Sequence, residues 1–147
     1  VRRVYGIAIG ERTAEEIKIV LGSAARTEDE VRAEVRGREL MSGLPKTVVL
    51  TPEEIRYAID DVVTQIVQSV VRCLAKAPAE LAQDFLVRGM YLVGGGGLLR
   101  GLADRIQRET QVPVLMSNMP LEAVVLGAGH CIENYDALKR MFMGQRR

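Results

Sequence analysis

Four consecutive glycines, Gly94 to Gly97, lie between an apolar run, Met90 to Val93, and a stretch of helical spacing, Leu98 to Thr110; a second apolar run follows at Val112 to Met116. That order reads as strand, helix, strand. Parallel strands need such a crossover, and crossovers of this kind are right-handed in nearly all folds, which leaves the glycine run at the carboxyl edge of the first strand. Ser117 or Asn118 is read as the cap of a further helix that opens with Pro120 and runs through Gly127-Ala128-Gly129. The result is a β-α-β-α unit. The small side chains of its last helix predict a tight seam against the sheet, where Gly127→Leu would overpack at a cost of about 1–3 kcal/mol.

The first half of the chain follows a different pattern. Thr13-Ala14-Glu15-Glu16 is a capping-box sequence, in which the threonine hydroxyl accepts from the Glu16 amide and the Glu16 carboxylate reaches back to the Thr13 amide. The helix it opens carries Ala14, Ile17 and Leu21 as an apolar stripe with Val20 beside it, and Gly22 closes it. Val31, Ala33, Val35 and Gly37 alternate with Arg32, Glu34, Arg36 and Arg38, which predicts a strand with one dry and one wet face. The breaker run Ser42-Gly43-Leu44-Pro45 and a second strand, Thr47 to Leu50, make it a hairpin. Thr51-Pro52-Glu53-Glu54 repeats the capping box, with proline at the first helical position. Ile55, Ile59, Val62, Ile66, Val70 and Leu74 then recur at spacings of three and four, so a long amphipathic helix ends before Pro78 and packs across a sheet. The fold class is therefore α/β, with a hairpin and a long helix ahead of the β-α-β-α unit.

A chain of 147 residues with 48% hydrophobic content can bury one or two cores. Its 20 basic and 19 acidic side chains leave a net charge of +1, too small a field to draw it to nucleic acid. The basic pairs Arg2-Arg3 and Arg146-Arg147 fall at the chain ends, where solvated tails are the ordinary outcome. Cys73 and Cys131 form no C-x-x-C pair and are expected to be reduced thiols packed in apolar helical surroundings. The single His130 has no ligand grouping around it, so no metal site is expected. No apolar run approaches the roughly 20 residues of a transmembrane helix, and the start lacks a secretion signal. A cytoplasmic protein is expected, and a first residue of Val rather than Met suits a fragment.

The glycine run carries the chemistry. A residue without Cβ lets backbone amides approach a phosphate or a flat base, and it equally serves a tight turn between strand and helix. Two phosphate-binding signatures are excluded. A Walker loop would need Gly-Lys followed by Ser or Thr, and a dinucleotide fingerprint from Gly94 would need Gly or Ala where Leu99 stands. Glu15 and Lys18, three apart, share one helical face and can form an exposed ion pair.

Several segments taken together resemble the MreB/Mbl family of bacterial actin-like filament proteins: Ile9-Gly10-Glu11-Arg12-Thr13-Ala14-Glu15-Glu16-Ile17-Lys18, Val35-Arg36-Gly37-Arg38, Arg88-Gly89-Met90, and Gly94-Gly95-Gly96 through Leu98-Leu99-Arg100. They occur in order over nearly the whole chain, which corresponds to a bit less than the last half of such a protein. Two positions depart from the family pattern. Gly97 stands where the family often has Ala or Ser, and Asn118-Met119 precedes Pro120 where it commonly carries an acidic residue.

The resemblance implies a lobe of an actin-like ATPase, with a ribonuclease H-like inner subdomain at 52–147 and residues 1–51 supplying the entry, the first helix and the outer hairpin subdomain, a small α+β unit. It implies that Glu15, Glu16, Ile17 and Lys18 face the adenosine of ATP or ADP, with Gly94, Gly95, Gly96, Gly97 and Leu98 against the nucleotide from the opposite element. The phosphate loops and the magnesium and water-positioning residues of the family would precede Val1, so no catalytic or metal residue is expected here and the chain alone should not hydrolyse ATP. The implied partners are further copies in a filament, the membrane adaptor RodZ and the cell-wall elongation machinery, at the inner face of the cytoplasmic membrane. Two other readings compete: a different actin-superfamily ATPase or kinase lobe, and a stand-alone interaction module whose glycine run is purely structural.

Overall fold

The computed structural model describes residues 1–26 and 31–142. The expected tail at Arg146-Arg147 lies outside them. A short helix α1 (Arg2–Tyr5) leads into β1 (Ile7–Ala8), α2 (Glu11–Leu21), β2 (Ala33–Glu39) and β3 (Pro45–Leu50). The three strands form an antiparallel sheet in the order β1-β2-β3, with Val35 opposite Val48 and Ala33 opposite Leu50. The alternation of β2 works as the sequence predicts: Val35 is buried while Glu34, Arg36 and Arg38 are exposed. Val31 falls before the strand and is exposed. Ile7, Ile17, Leu21, Val35, Val48, Leu50 and Ile55 close into one core cluster.

The start of α2 corrects the first capping box. The helix begins at Glu11 behind Gly10, which makes no side-chain cap bond, and Thr13 lies inside it. The Glu16 carboxylate accepts from Arg12 Nε at 3.1 Å, one turn back, instead of reaching the Thr13 amide. Strand β1 ends at Ala8, so the chain turns into the helix before Thr13 is reached.

The second box forms as expected. α3 (Pro52–Ala75) starts with the Thr51 hydroxyl accepting from the Glu54 amide while the Glu54 carboxylate accepts from the Thr51 amide at 2.9 Å. The same carboxylate accepts a short hydrogen bond from the Tyr5 hydroxyl, tying α1 to the head of α3 across 49 residues. The Tyr5 bond, helped by those from Thr51 and opposed by partial burial, holds the Glu54 carboxyl below its ordinary value of 4.5.

Val63 and Val67 of α3 build a second core cluster with Ala24, Leu102 and Ile106. Met90, Leu92 and Val114 pack against it from the parallel pair β4 (Met90–Leu92) and β5 (Val114–Met116). Between α3 and β4 runs α4 (Ala79–Arg88), which the apolar spacing did not single out. The glycines form a single helical turn, α5 (Gly94–Gly97), and the regular helix α6 (Leu102–Thr110) starts later than its periodicity suggested. Gly101, at φ 74°, breaks the chain between the two.

Three further expectations fail. α7 (Ala123–Glu133) has no side-chain cap, because the Ser117 hydroxyl accepts locally from the Met119 amide at 3.2 Å and Pro120 gives its carbonyl to Gly94. A Cβ on Gly127 or Gly129 would meet nothing within 4 Å, so the predicted tight seam is absent. Val124, Val125 and Ile132 of the same helix are largely exposed, and α8 (Tyr135–Phe142) follows it. Both cysteines are free thiols, but Cys73 is exposed and Cys131 only partly covered, so neither is a core residue.

Two outcomes follow for the 147-residue chain. Gly127→Ala should raise stability by about 0.5–1 kcal/mol in thermal denaturation, since helix entropy is gained and no neighbour is displaced. A carboxylate held low stabilises the fold above its ordinary pKa and loses that contribution as pH falls through the depressed value. Tyr5→Phe should therefore be less stable than the parent in urea at about pH 7, with the gap narrowing by about pH 2.

Candidate functional site

The end of α2 and the turn after the glycine run meet along one seam. Gly22 closes α2, its amide donating to the Lys18 carbonyl at 2.8 Å. Its backbone, at φ −66° and ψ 137°, suits any residue, so glycine is needed for space rather than conformation. A Cβ there would overlap the Lys18 carbonyl oxygen and stand 3.4 Å from Leu99 Cδ1. Ser23 then forms an isolated parallel bridge with Arg100, and the Ala24 amide donates to the Arg100 carbonyl at 2.7 Å. Gly101 completes the contact, since a Cβ on it would lie 2.8 Å from Ala25 Cβ.

Two arginines reinforce this seam. Arg100 Nη2 donates to the Val20 carbonyl at 2.9 Å, and its Nε reaches the Gly22 carbonyl at 3.4 Å. Both acceptors belong to the last turn of α2, where carbonyls lack helical partners and the helix dipole favours a cation. Arg105, on α6, donates to Asp60 Oδ1 and to Thr64 Oγ1, both at 2.7 Å, and to the Ala24 carbonyl at 3.4 Å. The segment after α2 is thus held by α6 and, through Arg105, by α3. Ser23 enters with its backbone alone: its side chain is fully buried and Oγ has no partner among the described residues.

The glycine turn borders open space. The Gly94 amide, on a residue at φ 79°, donates to the Pro120 carbonyl at 2.7 Å. A Cβ on Gly94 or Gly96 would meet nothing within 4 Å, and one on Gly95 would touch only Leu121. Gly97 differs, being buried against Leu92, and Leu98 beyond it is half exposed. Packing therefore explains Gly97. The first three positions leave room beside bare backbone, as close approach of a ligand requires.

The four candidates on α2 separate. Glu15 and Lys18 share an exposed face, with both carboxylate oxygens 2.7 Å from Nζ. Such a pair is worth only a few tenths of a kcal/mol. Glu16 engages Arg12 instead, and Ile17 is turned into the first core cluster. Arg100, Arg105 and Gly101 had no periodic signal, because their partners lie 41 to 81 residues away along the chain. A groove along α3 lined by Val62, Gln65, Ile66, Ser69, Val70 and Cys73 contains none of these residues. Among the described residues no cluster of three or more His, Cys, Asp or Glu is placed to hold a metal, and no helix is long and apolar enough to cross a membrane.

Known proteins share this sequence pattern and fold. The family model for MreB/Mbl protein matches residues 1–140. The cell shape-determining protein Mbl of Bacillus subtilis (strain 168) is 37% identical over 140 residues, 95% of this chain and 42% of that protein. The cell shape-determining protein MreB of Escherichia coli (strain K12) is 44% identical over 136 residues, 92% of this chain and 39% of its own length. Among solved structures, MreB5 of Spiroplasma citri bound to AMPPNP superposes with a TM-score of 0.86 at 32% identity, covering 92% of this chain and 41% of that one. The ADP-bound form of MreB5 matches with the same TM-score, 0.86. The fold is that of a lobe of the actin-like ATPases. More narrowly, the chain belongs to the MreB/Mbl protein family, and it spans about two fifths of the length of these relatives.

The seam itself is open to test by size. Gly22→Ala should destabilise the chain by about 1–3 kcal/mol in chemical denaturation, because the added methyl has no room between Lys18 and Leu99. Unchanged stability would mean that Gly22 does not stand against the Lys18 carbonyl as described.

Proposed function

We propose that this chain supplies the adenosine side of the nucleotide cleft in an ATP-binding, filament-forming cell-shape protein. One observation carries the proposal: the last turn of α2 is locked to the residues that follow the glycine run, in a fold that matches MreB5 bound to AMPPNP and to ADP. Lys18 lies in that last turn and Glu15 three residues before it, both on the exposed face, and they need only part from each other to meet a base and a ribose. A carboxylate accepts from ribose hydroxyls, and an ammonium donates to ring nitrogens. Gly94, Gly95 and Gly96 offer backbone that a flat ligand can approach, while Gly97 and Leu98 shape the turn. Ile17 and Glu16 fix the helix rather than touch the ligand.

On this reading residues 1–51 belong mainly to an outer subdomain and residues 52–147 to an inner one, as two core clusters support, with Ala24 and Ile55 each packing across that line. ATP hydrolysis, its magnesium ion and the water that attacks are the work of residues outside this chain. Binding of ATP closes two lobes, closed subunits stack into filaments, and these guide cell-wall synthesis at the inner face of the membrane. Self-association follows from membership in an actin-like family; RodZ and the elongation machinery are the partners the family resemblance suggests.

Glu15→Ala in the full-length protein should weaken ADP binding roughly tenfold to a hundredfold in calorimetry, as a charge-assisted hydrogen bond of about 1.5–3 kcal/mol implies. An affinity equal to the parent's would remove Glu15 from the cleft.

A further inference from the structure

The acceptors chosen by Arg100 are unusual for a residue that merely stabilises a loop. Its guanidinium reaches across 78 and 80 residues of sequence to the carbonyls of Gly22 and Val20, and its own carbonyl takes the Ala24 amide. Every one of these contacts falls on the end of α2. On the other side, Arg100 follows the glycine turn after only Leu98 and Leu99, whose amides donate back into that turn, to Gly95 and Gly96 carbonyls at 3.2 Å each. Among the described residues, the Arg100 side chain carries hydrogen bonds from the glycine-turn segment to the end of the helix that holds Glu15 and Lys18.

We propose that Arg100 is a positioning residue for nucleotide binding: it sets the distance and rotation of α2 relative to the glycine turn, and so the gap into which adenosine fits. This rests on the cleft proposed above and adds to it a residue that touches no ligand. The physical case is one of geometry. α2 is anchored to the antiparallel sheet by Ile17 and Leu21, whereas the glycine turn is anchored to the parallel pair through Gly97 on Leu92. The two anchors belong to different core clusters, and between them the exit of α2 is held by Ala24 in the second cluster and by its backbone bond to Arg100. The Arg100 guanidinium adds a grip on the helix end itself, because a planar fork addresses two carbonyls at once and resists rotation as well as translation. Lysine carries the charge without the fork, so it would hold the helix end at one point only.

The role predicts a split between the two ends of the nucleotide. In the full-length protein, Arg100→Ala should weaken ADP binding on the order of tenfold, as expected when hydrogen-bonding groups are misplaced by about 1 Å. Binding of inorganic tripolyphosphate, which has no adenosine, should stay within about twofold of the parent. Arg100→Lys should fall between parent and Ala for ADP. Calorimetry with both ligands is run well below the melting temperature of each variant, alongside Glu15→Ala. If Glu15→Ala loses ADP affinity but Arg100→Ala does not, the cleft stands and the positioning role is overturned. If ADP and tripolyphosphate weaken together, Arg100 holds up the fold rather than the pocket, and the proposal again fails. Should Glu15→Ala leave ADP binding intact, the cleft itself is misplaced and the inference falls with it. Where Arg100→Ala does not fold, Arg100→Lys decides: full ADP affinity in a folded Lys variant rules the fork out.

Discussion

The Ala24 amide donating to the Arg100 carbonyl is the contact on which the arrangement of this chain turns. It is a strand-like bond between two segments that are not otherwise paired, the exit from α2 and the exit from the glycine turn. Around it, every residue choice favours close approach: Gly22 leaves room for Lys18 and Leu99, Gly101 for Ala25, and Ser23 is small enough to vanish between them. A buried backbone amide without a partner would cost on the order of 1–3 kcal/mol, so the bond is kept wherever the chain folds. Arg100 then adds charge-assisted bonds to carbonyls at the end of α2, and Arg105 adds one to the Ala24 carbonyl beyond it.

From that contact the rest of the molecule can be traced outward. The antiparallel sheet and α2 share one apolar cluster, and the parallel pair, α3 and α6 share another. α3 belongs to both, since Ile55 near its head lies in the first and Val63 and Val67 in the second. Its capping box and the Tyr5 bond to Glu54 fix where that head begins, so the two clusters are set along one rigid axis. A single long helix with a defined start is therefore what relates a hairpin to a glycine turn, and the seam at Arg100 locks the relation on its far side.

Local patterns in the sequence describe several elements correctly, but the stripe of α3 is shifted by one residue in its middle: Val62 and Ile66 are exposed, and Val63 and Val67 are buried instead, because they face α6. The alternation from Ala33 to Gly37, the box at Thr51 and Glu54, and the glycine break between two strands all describe interactions within a few residues. Where two signals compete locally, the reading failed. Thr13 could have capped a helix, but β1 ends early and Arg12 takes the Glu16 carboxylate; Ser117 could have capped another, but its hydroxyl stays with Met119. Small residues misled in one place and were undervalued in another. Gly127 suggests a seam and borders open space, whereas Gly22 reads only as a helix stop and Gly101 as a position inside a helix, yet both form close approaches in the site. Glu15, Lys18 and the glycines were legible as candidates through family resemblance. Arg100 and Arg105 were not, because a guanidinium bonding to a carbonyl far along the chain leaves no trace in composition or period.

Native-state hydrogen exchange at the Ala24 amide tests the central claim most directly. If the seam is an integral part of the fold, that amide should exchange only through global unfolding, with a protection free energy equal to the stability of the whole chain and a matching dependence on denaturant. Exchange through a local opening, fast and insensitive to denaturant while the Val63 and Val67 amides remain protected, would contradict it and leave α2 and the glycine turn as independent neighbours.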